Sequence, residues 1–242
     1  MSNDGGSVAR RRIYLMRHGD VKYFVTDREP AAPRSVELTR RGREKAQVAG
    51  HALRAVRFDR VITNGRSRVI ETARIVLDAS EHADQLEIET WPEFEEIRVS
   101  HLADLEEHEV DAAFFSVFHS ATPDRDSSYL YSENVGSLLD RVNTELDRLM
   151  ADTSWGTALV VLHGGVNRAI LSRAITGTPM FRGRLEQTPG CINVLDHGPD
   201  WFVRSVNVVP DDPAHVGPRV SSLEEIADAY RAYRGYPVPG SR

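Results

Sequence analysis

Short apolar runs alternate with longer amphipathic stretches along most of this chain, and that alternation limits its possible folds more than any other feature. Arg12–Met16 and Thr157–His163 are typical of buried strands, because large apolar and β-branched residues follow one another without a break. Stretches with a 3.6-residue apolar period follow, such as "ELTRRGREKAQVAGHALRAV" with Thr39 as its N-cap. We therefore expect an α/β fold, with a mostly parallel sheet and helices on both faces.

The domain organisation is predicted from what lies outside this alternation. Residues 1–10 are rich in Ser, Gly, Asn and Asp and indicate a flexible leader, so residues 11–242 are expected to form a single domain. Residues from about 101 to 131 have a weaker pattern, and their phenylalanines suggest a helical insertion. A capping box begins at Ser221 and a glycine stands at 235, which predicts a C-terminal helical extension over about 221–235.

Composition excludes several classes of function. The formal net charge of -6 argues against a nucleic-acid partner. The sequence contains no window of 18 apolar residues, which is about the length that a membrane-spanning helix needs. Arg17 interrupts the first apolar run, so it does not form the core of a secretory signal, and Cys191 is the only cysteine. We expect a cytoplasmic protein without a disulfide framework or a cysteine-rich zinc site. The sequence leaves open whether the chain forms a homodimer.

Charged and glycine residues follow four of the predicted strands where each strand ends. Because the carboxyl ends of parallel strands meet at one edge of a sheet, these residues are expected to lie near one another. In chain order they are Arg17, His18 and Gly19; Arg66 and Arg68; Glu93, Glu95 and Glu96; and His163, Gly164 and Gly165.

This set of residue types is suited to phosphate chemistry. Arginine side chains offer forked donors to phosphate oxygens. The backbone at Gly164 can approach an oxyanion, and the helix that begins there favours negative charge. An imidazole can attack phosphorus, and a carboxylic acid can protonate the departing alkoxide. Phosphoryl transfer depends mainly on positioning and charge stabilisation, so we expect no metal and no cofactor.

The ordered motifs "LMRHGD", "ELTRRGREKA", "ITNGRSRVIETA", "FEEI" and "VLHGGVNR" resemble those of the histidine phosphatase superfamily, also called the phosphoglycerate mutase-like family. The resemblance extends over roughly Ile13 to Thr176. It implies a three-layer sandwich with an insertion that caps the site. It also implies a phosphatase that acts on a small-molecule phosphate monoester through a phosphohistidine intermediate.

Residue roles follow from the resemblance position by position. His18 corresponds to the nucleophile, Arg17 to its neighbouring phosphate clamp, and His163 to the second histidine, which contacts the phosphoryl group. Arg68 corresponds to the family arginine that stands four residues before a Thr-Ala pair; Arg66 lacks that spacing.

The proton donor is less clearly defined by the sequence. Glu96 matches the family acid best, because "FEEI" resembles the Leu-x-Glu-Ile pattern, but Glu93 and Glu95 remain rivals. Where the family has an asparagine shortly after the Arg-His-Gly triplet, this chain has Phe24. Further cations could hold a second anionic group of the substrate, although each is also readily explained as an exposed residue: Lys22, Arg28, Arg98 and Arg125.

Two alternative functions remain open. A phosphoglycerate mutase resembles this chain at His18, but mutases carry Glu-Arg-His-Tyr-Gly around the acid and Gly-Asn after the second histidine, whereas this chain has "EFEEIRV" and "HGGV". A catalytically silent member would bind a phosphorylated ligand or a protein without turnover, but such members usually lose the nucleophile.

Overall fold

The structure is a computed structural model that describes residues 10–24, 36–82, 86–99 and 105–239. Within these ranges the chain forms six strands and six α-helices. In chain order they are β1 (Arg11–Arg17), α1 (Arg40–Leu53), β2 (Arg60–Thr63), α2 (Ser67–Asp78), β3 (Ile88–Thr90), α3 (Val110–Phe115), α4 (Val135–Ala151), β4 (Thr157–Leu162), α5 (Gly164–Thr176), β5 (Ile192–His197), β6 (Trp201–Val208) and α6 (Ser222–Arg234).

One sheet joins all six strands in the order β3-β2-β4-β1-β5-β6. The first four strands in that order pair in parallel, and β5 and β6 continue the sheet as antiparallel strands. The expected mostly parallel α/β sheet is thereby confirmed. The register of β1 on β4 places Arg17 beside Leu162, so the residues that follow these strands leave the sheet side by side.

Alternating side chains of the central strands cover the two faces of the sheet. Ile13 and Leu15 belong to the large apolar cluster that includes residues of α4, α5 and α6, while Met16 belongs to a second cluster with residues of α1 and α2. This alternation is the period-two geometry of a strand buried on both sides. It produces the three layers that the sequence predicted.

A close backbone contact holds α1 against the loop after β1. Thr39 caps the helix as predicted, because its hydroxyl accepts a hydrogen bond from the amide of Gly42 at 3.0 Å. A Cβ atom added to Gly19 would lie 2.3 Å from the carbonyl oxygen of Gly42, so a side chain there would force the two segments apart. Glycine at position 19 therefore allows the loop that begins at His18 to pack on the helix.

The segment predicted as a helical insertion is helical only in part. Residues 100–104 lie outside the described residues; beyond them the segment has a 3-10 turn at Glu107–Glu109, the six-residue α3, and then turns. Phe114, Phe118 and Leu130 are buried in the main apolar cluster. Packing on the core therefore holds Phe118 and Leu130, which lie outside α3, as well as Phe114 within it.

The C-terminal helix has both predicted ends. Ser221 and Glu224 form a capping box, and Gly235 ends α6 in the left-handed conformation at φ 73°. No helix among the described residues is long and apolar enough to cross a membrane. The division into a leader and a single domain stays a prediction, and residues 1–9 lie outside the described residues.

Candidate active site

The two histidines that follow β1 and β4 lie together at the carboxyl edge of the sheet. The ring centroids of His18 and His163 are 5.1 Å apart, with an angle of 72° between the ring planes. Both side chains are buried, at 2% and 1% exposure. The parallel pairing of their strands causes this approach, which sequence spacing alone does not require.

A carbonyl group determines which nitrogen of His18 carries the proton. Nδ1 lies 2.7 Å from the carbonyl oxygen of Gly19, which can only accept a hydrogen bond. Nδ1 of the neutral ring therefore bears the proton, and Nε2 keeps its lone pair. Nε2 faces Nε of Arg68 at 3.4 Å.

Asn64 orients the second histidine, and the sequence analysis did not identify it. Its side-chain oxygen accepts from the amide of Arg66 at 3.2 Å, so its Nδ2 group points to Nε2 of His163 at 2.8 Å. His163 therefore accepts at Nε2 and carries its proton at Nδ1 when neutral. The position of Asn64 in the sequence could have indicated this role, because it directly follows β2, at the sheet edge where the other polar residues were expected.

Arg68 connects the two imidazoles. Besides its contact with His18, its NH2 group lies 3.4 Å from Nδ1 of His163. The side chain is only 3% exposed. It starts from the first turn of α2, whose Thr72 hydroxyl accepts a hydrogen bond from the amide of Gly19 at 3.2 Å. Arg68 therefore reaches both rings, and its role as a phosphate contact stays a prediction.

Arg17 is anchored on one side and lacks a partner at one donor. Its NH1 group donates to the carbonyl oxygen of Gln187 and to the hydroxyl of Ser222, the latter at 2.7 Å. Its buried Nε has no hydrogen-bond partner among the described residues. Because a buried unsatisfied donor is costly, Nε is suited to an anion that enters the site. A Cβ on Gly164 would lie 3.5 Å from this Nε, so Gly164 lies directly beside it.

Glu96 lies at the N-terminus of α5. Its Oε1 accepts from the amides of Ile97 at 2.9 Å and Val166 at 3.2 Å, and its Oε2 accepts from the amide of Gly165 at 2.9 Å. A carboxylate offers about four lone-pair positions. Three of these positions accept the backbone hydrogen bonds, and the fourth, on Oε2, remains for another partner. The Glu96 side chain also lines the larger cavity described below.

The rival glutamates occupy different positions. Glu95 forms an ion pair with Arg66, and both line the cavity. Glu93 is 53% exposed and lies 3.6 Å from Arg98, which is itself 56% exposed. The geometry therefore favours Glu96 or Glu95 over Glu93 for contact with a ligand.

The other candidate cations are dispersed. Arg98 lines the rim of the cavity, whereas Arg125 pairs with Asp140 at 2.6 Å on the surface. Lys22 is exposed beside a second cavity, and Arg28 lies outside the described residues.

Burial and positive charge keep both imidazoles neutral. Burial, followed by the charges of Arg68 and Arg17, lowers the pKa of His18 well below its ordinary value. Burial, followed by His18 and then Arg68, lowers the pKa of His163 in the same direction. A lone pair at Nε2 of His18 is therefore present at neutral pH.

Two adjoining cavities meet at this site. The larger has a volume of about 580 Å³ and is lined by Arg17, Arg68, Glu96 and His163 together with many apolar side chains. The smaller, of about 300 Å³, is lined by His18. The residues shared by both walls are Arg17, Tyr23, Phe24, Ser222 and Ile226. His18 therefore lines only the smaller of these two cavities, His163 lines only the larger, and Arg17 lines both.

Comparison with known proteins agrees with this geometry. The family description "Histidine phosphatase superfamily (branch 1)" matches residues 13–208. The chain belongs to this superfamily. The adenosylcobalamin/alpha-ribazole phosphatase of Escherichia coli (strain K12) is 29% identical over 195 residues, which cover 76% of this chain and 89% of that protein. Phosphoglycerate mutase-like protein 4 of Arabidopsis thaliana is 28% identical over 208 residues, covering 83% and 86% respectively.

A solved histidine phosphatase-like fold supports the same architecture. The phosphoglycerate mutase from Bacillus anthracis str. Sterne superimposes with a TM-score of 0.63 over 83% of this chain and 94% of that structure, at 19% identity. The predicted phosphoglycerate mutase-like fold is confirmed. Membership of the superfamily supports an enzyme with phosphatase-type activity on small phosphorylated compounds.

Proposed function

We propose that this protein is a metal-independent phosphatase that hydrolyses a phosphate monoester through a phosphohistidine at His18. The observation that carries the proposal is the pair of buried, neutral imidazoles 5.1 Å apart with the Arg68 guanidinium in contact with both. Such a set of fixed donors around a nucleophilic nitrogen is suited to a trigonal phosphoryl group in transit.

In the first step, the lone pair of His18 Nε2 attacks phosphorus as the bond to the ester oxygen breaks. The ring becomes cationic, and the carbonyl oxygen of Gly19 stabilises the proton that stays on Nδ1. Arg17, Arg68, Nδ1–H of His163 and the amide of Gly164 bind the phosphoryl oxygens. Glu96 gives its proton to the leaving oxygen, for which the unoccupied position on Oε2 is suited.

In the second step, water attacks the phosphohistidine. The Glu96 carboxylate takes one proton from the water, the nitrogen–phosphorus bond breaks, and the electron pair returns to Nε2 of His18. Inorganic phosphate is released and both residues regain their starting protonation states. The Glu96 proton is thus given and recovered once in each cycle.

A phosphate-release assay with a panel of monoesters tests the proposal. We expect release to persist in excess EDTA and to be lost in His18→Ala. The matched control is His51→Ala, because His51 is an exposed histidine on α1. Wild-type turnover in His18→Ala, or loss of turnover in EDTA that a divalent cation restores, would contradict this mechanism.

The mutase reaction is the nearest alternative, and the similarity to phosphoglycerate mutase-like protein 4 is the observation in its favour. Incubation with 3-phosphoglycerate distinguishes the two reactions. The phosphatase proposal expects inorganic phosphate from the panel and no 2-phosphoglycerate. A silent phosphate-binding protein would produce neither.

A cytoplasmic location belongs to the same proposal, and the oligomeric state, a monomer or a homodimer, stays open. Light scattering coupled to size-exclusion chromatography measures the mass in solution. It distinguishes a monomer of 27.1 kDa from a dimer of two such chains.

A further inference from the structure

The larger cavity has an extensive apolar wall that the phosphate chemistry does not require. A phosphoryl group beside Arg17, Arg68 and His163 would occupy only one end of its 580 Å³. Most of the remaining wall is uncharged and comes from the loop after β1, the segment after Glu96, the 114–130 region and α6. The side chains that define it are Phe24, Ile97, Phe114, Phe118, Leu130 and Ile226.

The direction of attack assigns this wall to the leaving group. In an in-line displacement, the nucleophile and the leaving oxygen lie on opposite sides of phosphorus. Nε2 of His18 faces Arg68, which lines the larger cavity together with Glu96, the proposed proton donor to the leaving oxygen. An ester attacked by His18 therefore directs its alcohol part into the larger cavity, on the side of Glu96.

We propose that the substrate is a phosphate monoester of a bulky, uncharged and largely apolar alcohol, whose apolar part packs in this cavity. The proposal rests on the phosphatase function proposed above and specifies the substrate class of the same site. Apolar surface removed from water is the main source of affinity in such a cavity.

The wall is preformed by aromatic packing. The ring of Phe118 lies edge to face with Tyr129 at 5.0 Å and with Phe181 at 5.7 Å between centroids. Phe24 lies 5.4 Å from Tyr230 in the same edge-to-face arrangement. Rings held by their neighbours lose little further freedom when a ligand binds, so apolar contact there contributes fully to affinity.

The charges around the cavity do not favour a second anion on the substrate. Arg168 donates to the carbonyl oxygen of Gly183 at 3.0 Å, and its NH2 group lies 3.6 Å from Glu186. Arg66 is paired with Glu95, and Arg98 stands at the exposed rim beside Glu93. A second phosphate or carboxylate would have to compete with Glu186, Glu95 or Glu93 for these guanidinium groups, and sugar hydroxyls would lose their water against the phenylalanine rings.

A series of primary alkyl phosphates tests the proposal, because ethyl, butyl, hexyl and octyl phosphate have similar leaving oxygens and differ in apolar length. We expect kcat/KM to rise about threefold to fourfold per methylene group, hence on the order of a hundredfold from butyl to octyl phosphate. Octyl phosphate should also exceed glycerol 3-phosphate and ribose 5-phosphate. A flat series, or a preference for the two hydroxylated esters, would overturn the inference and leave the phosphatase function intact.

A matched pair of variants locates the effect. Ile226→Asn places an amide in the cavity wall, whereas Ile175→Asn makes the same change at a position on α5 that is 46% exposed. Ile226→Asn should lower kcat/KM for octyl phosphate about tenfold more than that for ethyl phosphate, whereas Ile175→Asn should alter neither. Equal losses for both esters in Ile226→Asn would overturn the assignment.

If that variant does not fold, the wild-type alkyl series decides alone. Absence of phosphate release from every ester would overturn the phosphatase function and this inference together.

Discussion

The side-chain amide of Asn64 donates a hydrogen bond to Nε2 of His163 at 2.8 Å. This contact leaves the proton of neutral His163 on Nδ1, the nitrogen that faces Arg68 at 3.4 Å. Two donors thereby lie 3.4 Å apart, and a phosphoryl oxygen that accepts a hydrogen bond from each would stabilise this arrangement. The orientation of His163 is thus determined by a residue on the neighbouring strand end.

Asn64→Asp should reverse that orientation. A carboxylate accepts at Nε2, so His163 would carry its proton there, and the added negative charge would raise the pKa of the ring relative to its lowered value. We expect kcat to fall about tenfold or more, with the acid limb of its pH profile moved to higher pH. The ¹⁵N shifts of the imidazole report the tautomer directly. An unchanged tautomer in this variant would contradict the assigned role of Asn64.

Arg68→Ala should lower kcat/KM about a hundredfold or more, because the guanidinium contacts both histidines and would stabilise charge that develops in transfer. Arg68→Lys should recover only part of this loss, since an ammonium lacks the planar fork. Steady-state kinetics with one ester measure both variants. The matched control is Arg125→Ala, which removes a surface arginine that is 54% exposed and pairs with Asp140. Wild-type kinetics in Arg68→Lys would show that the fork is dispensable.

Glu96→Gln and Glu93→Gln separate two of the three rival proton donors. Alkyl phosphates have poor leaving groups and need protonation, whereas nitrophenyl phosphate does not, so loss of the acid should slow the alkyl ester far more than the aryl ester. We expect Glu96→Gln to lower kcat for the alkyl ester about a hundredfold or more. Glu93→Gln should match wild type, because its side chain is 53% exposed and pairs with Arg98. The opposite ranking would transfer the role to Glu93.

The buried neutral histidines predict a loss of stability in acid. An unfolded imidazole has a pKa of about 6.5, and the pKa of His18 and of His163 is lower in the fold. As pH falls through about 6.5, the unfolded chain therefore binds protons that the folded chain does not. The free energy of unfolding should fall by up to about 1.4 kcal/mol per pH unit for each histidine.

Urea unfolding at pH 7.5, 6.0 and 5.0 measures this dependence. His18→Asn removes one of the two groups and should reduce the slope, whereas His51→Asn, on the exposed side of α1, should keep the wild-type slope. An equal slope in wild type and His18→Asn would contradict a lowered pKa at His18.

The sequence predicted those features that depend on local chemistry. Thr39 and the Ser221–Glu224 pair predicted helix starts because a capping side chain bonds within its own turn. The arrival of His18 and His163 at one edge followed from strand order, because parallel strands end together.

Features that depend on three-dimensional contact were not predictable in this way. Asn64 was missed because its role comes from a ring 99 residues away in the chain. The region from about 101 to 131 was expected to be mainly helical, but its α-helix spans only Val110–Phe115, and Phe118 and Leu130 beyond that helix are held by packing on the core. The wall that the two cavities share also includes residues of α6. The sequence predicted this helix as a C-terminal extension but did not indicate where it packs.

Rapid-quench labelling with a ³²P-labelled ester tests the central claim most directly. The account predicts an alkali-stable, acid-labile phosphate that forms faster than steady-state turnover, maps to the peptide containing His18, and is absent in His18→Ala but present in His51→Ala. Turnover of the ester with no such label, or with the label on His163, would contradict it.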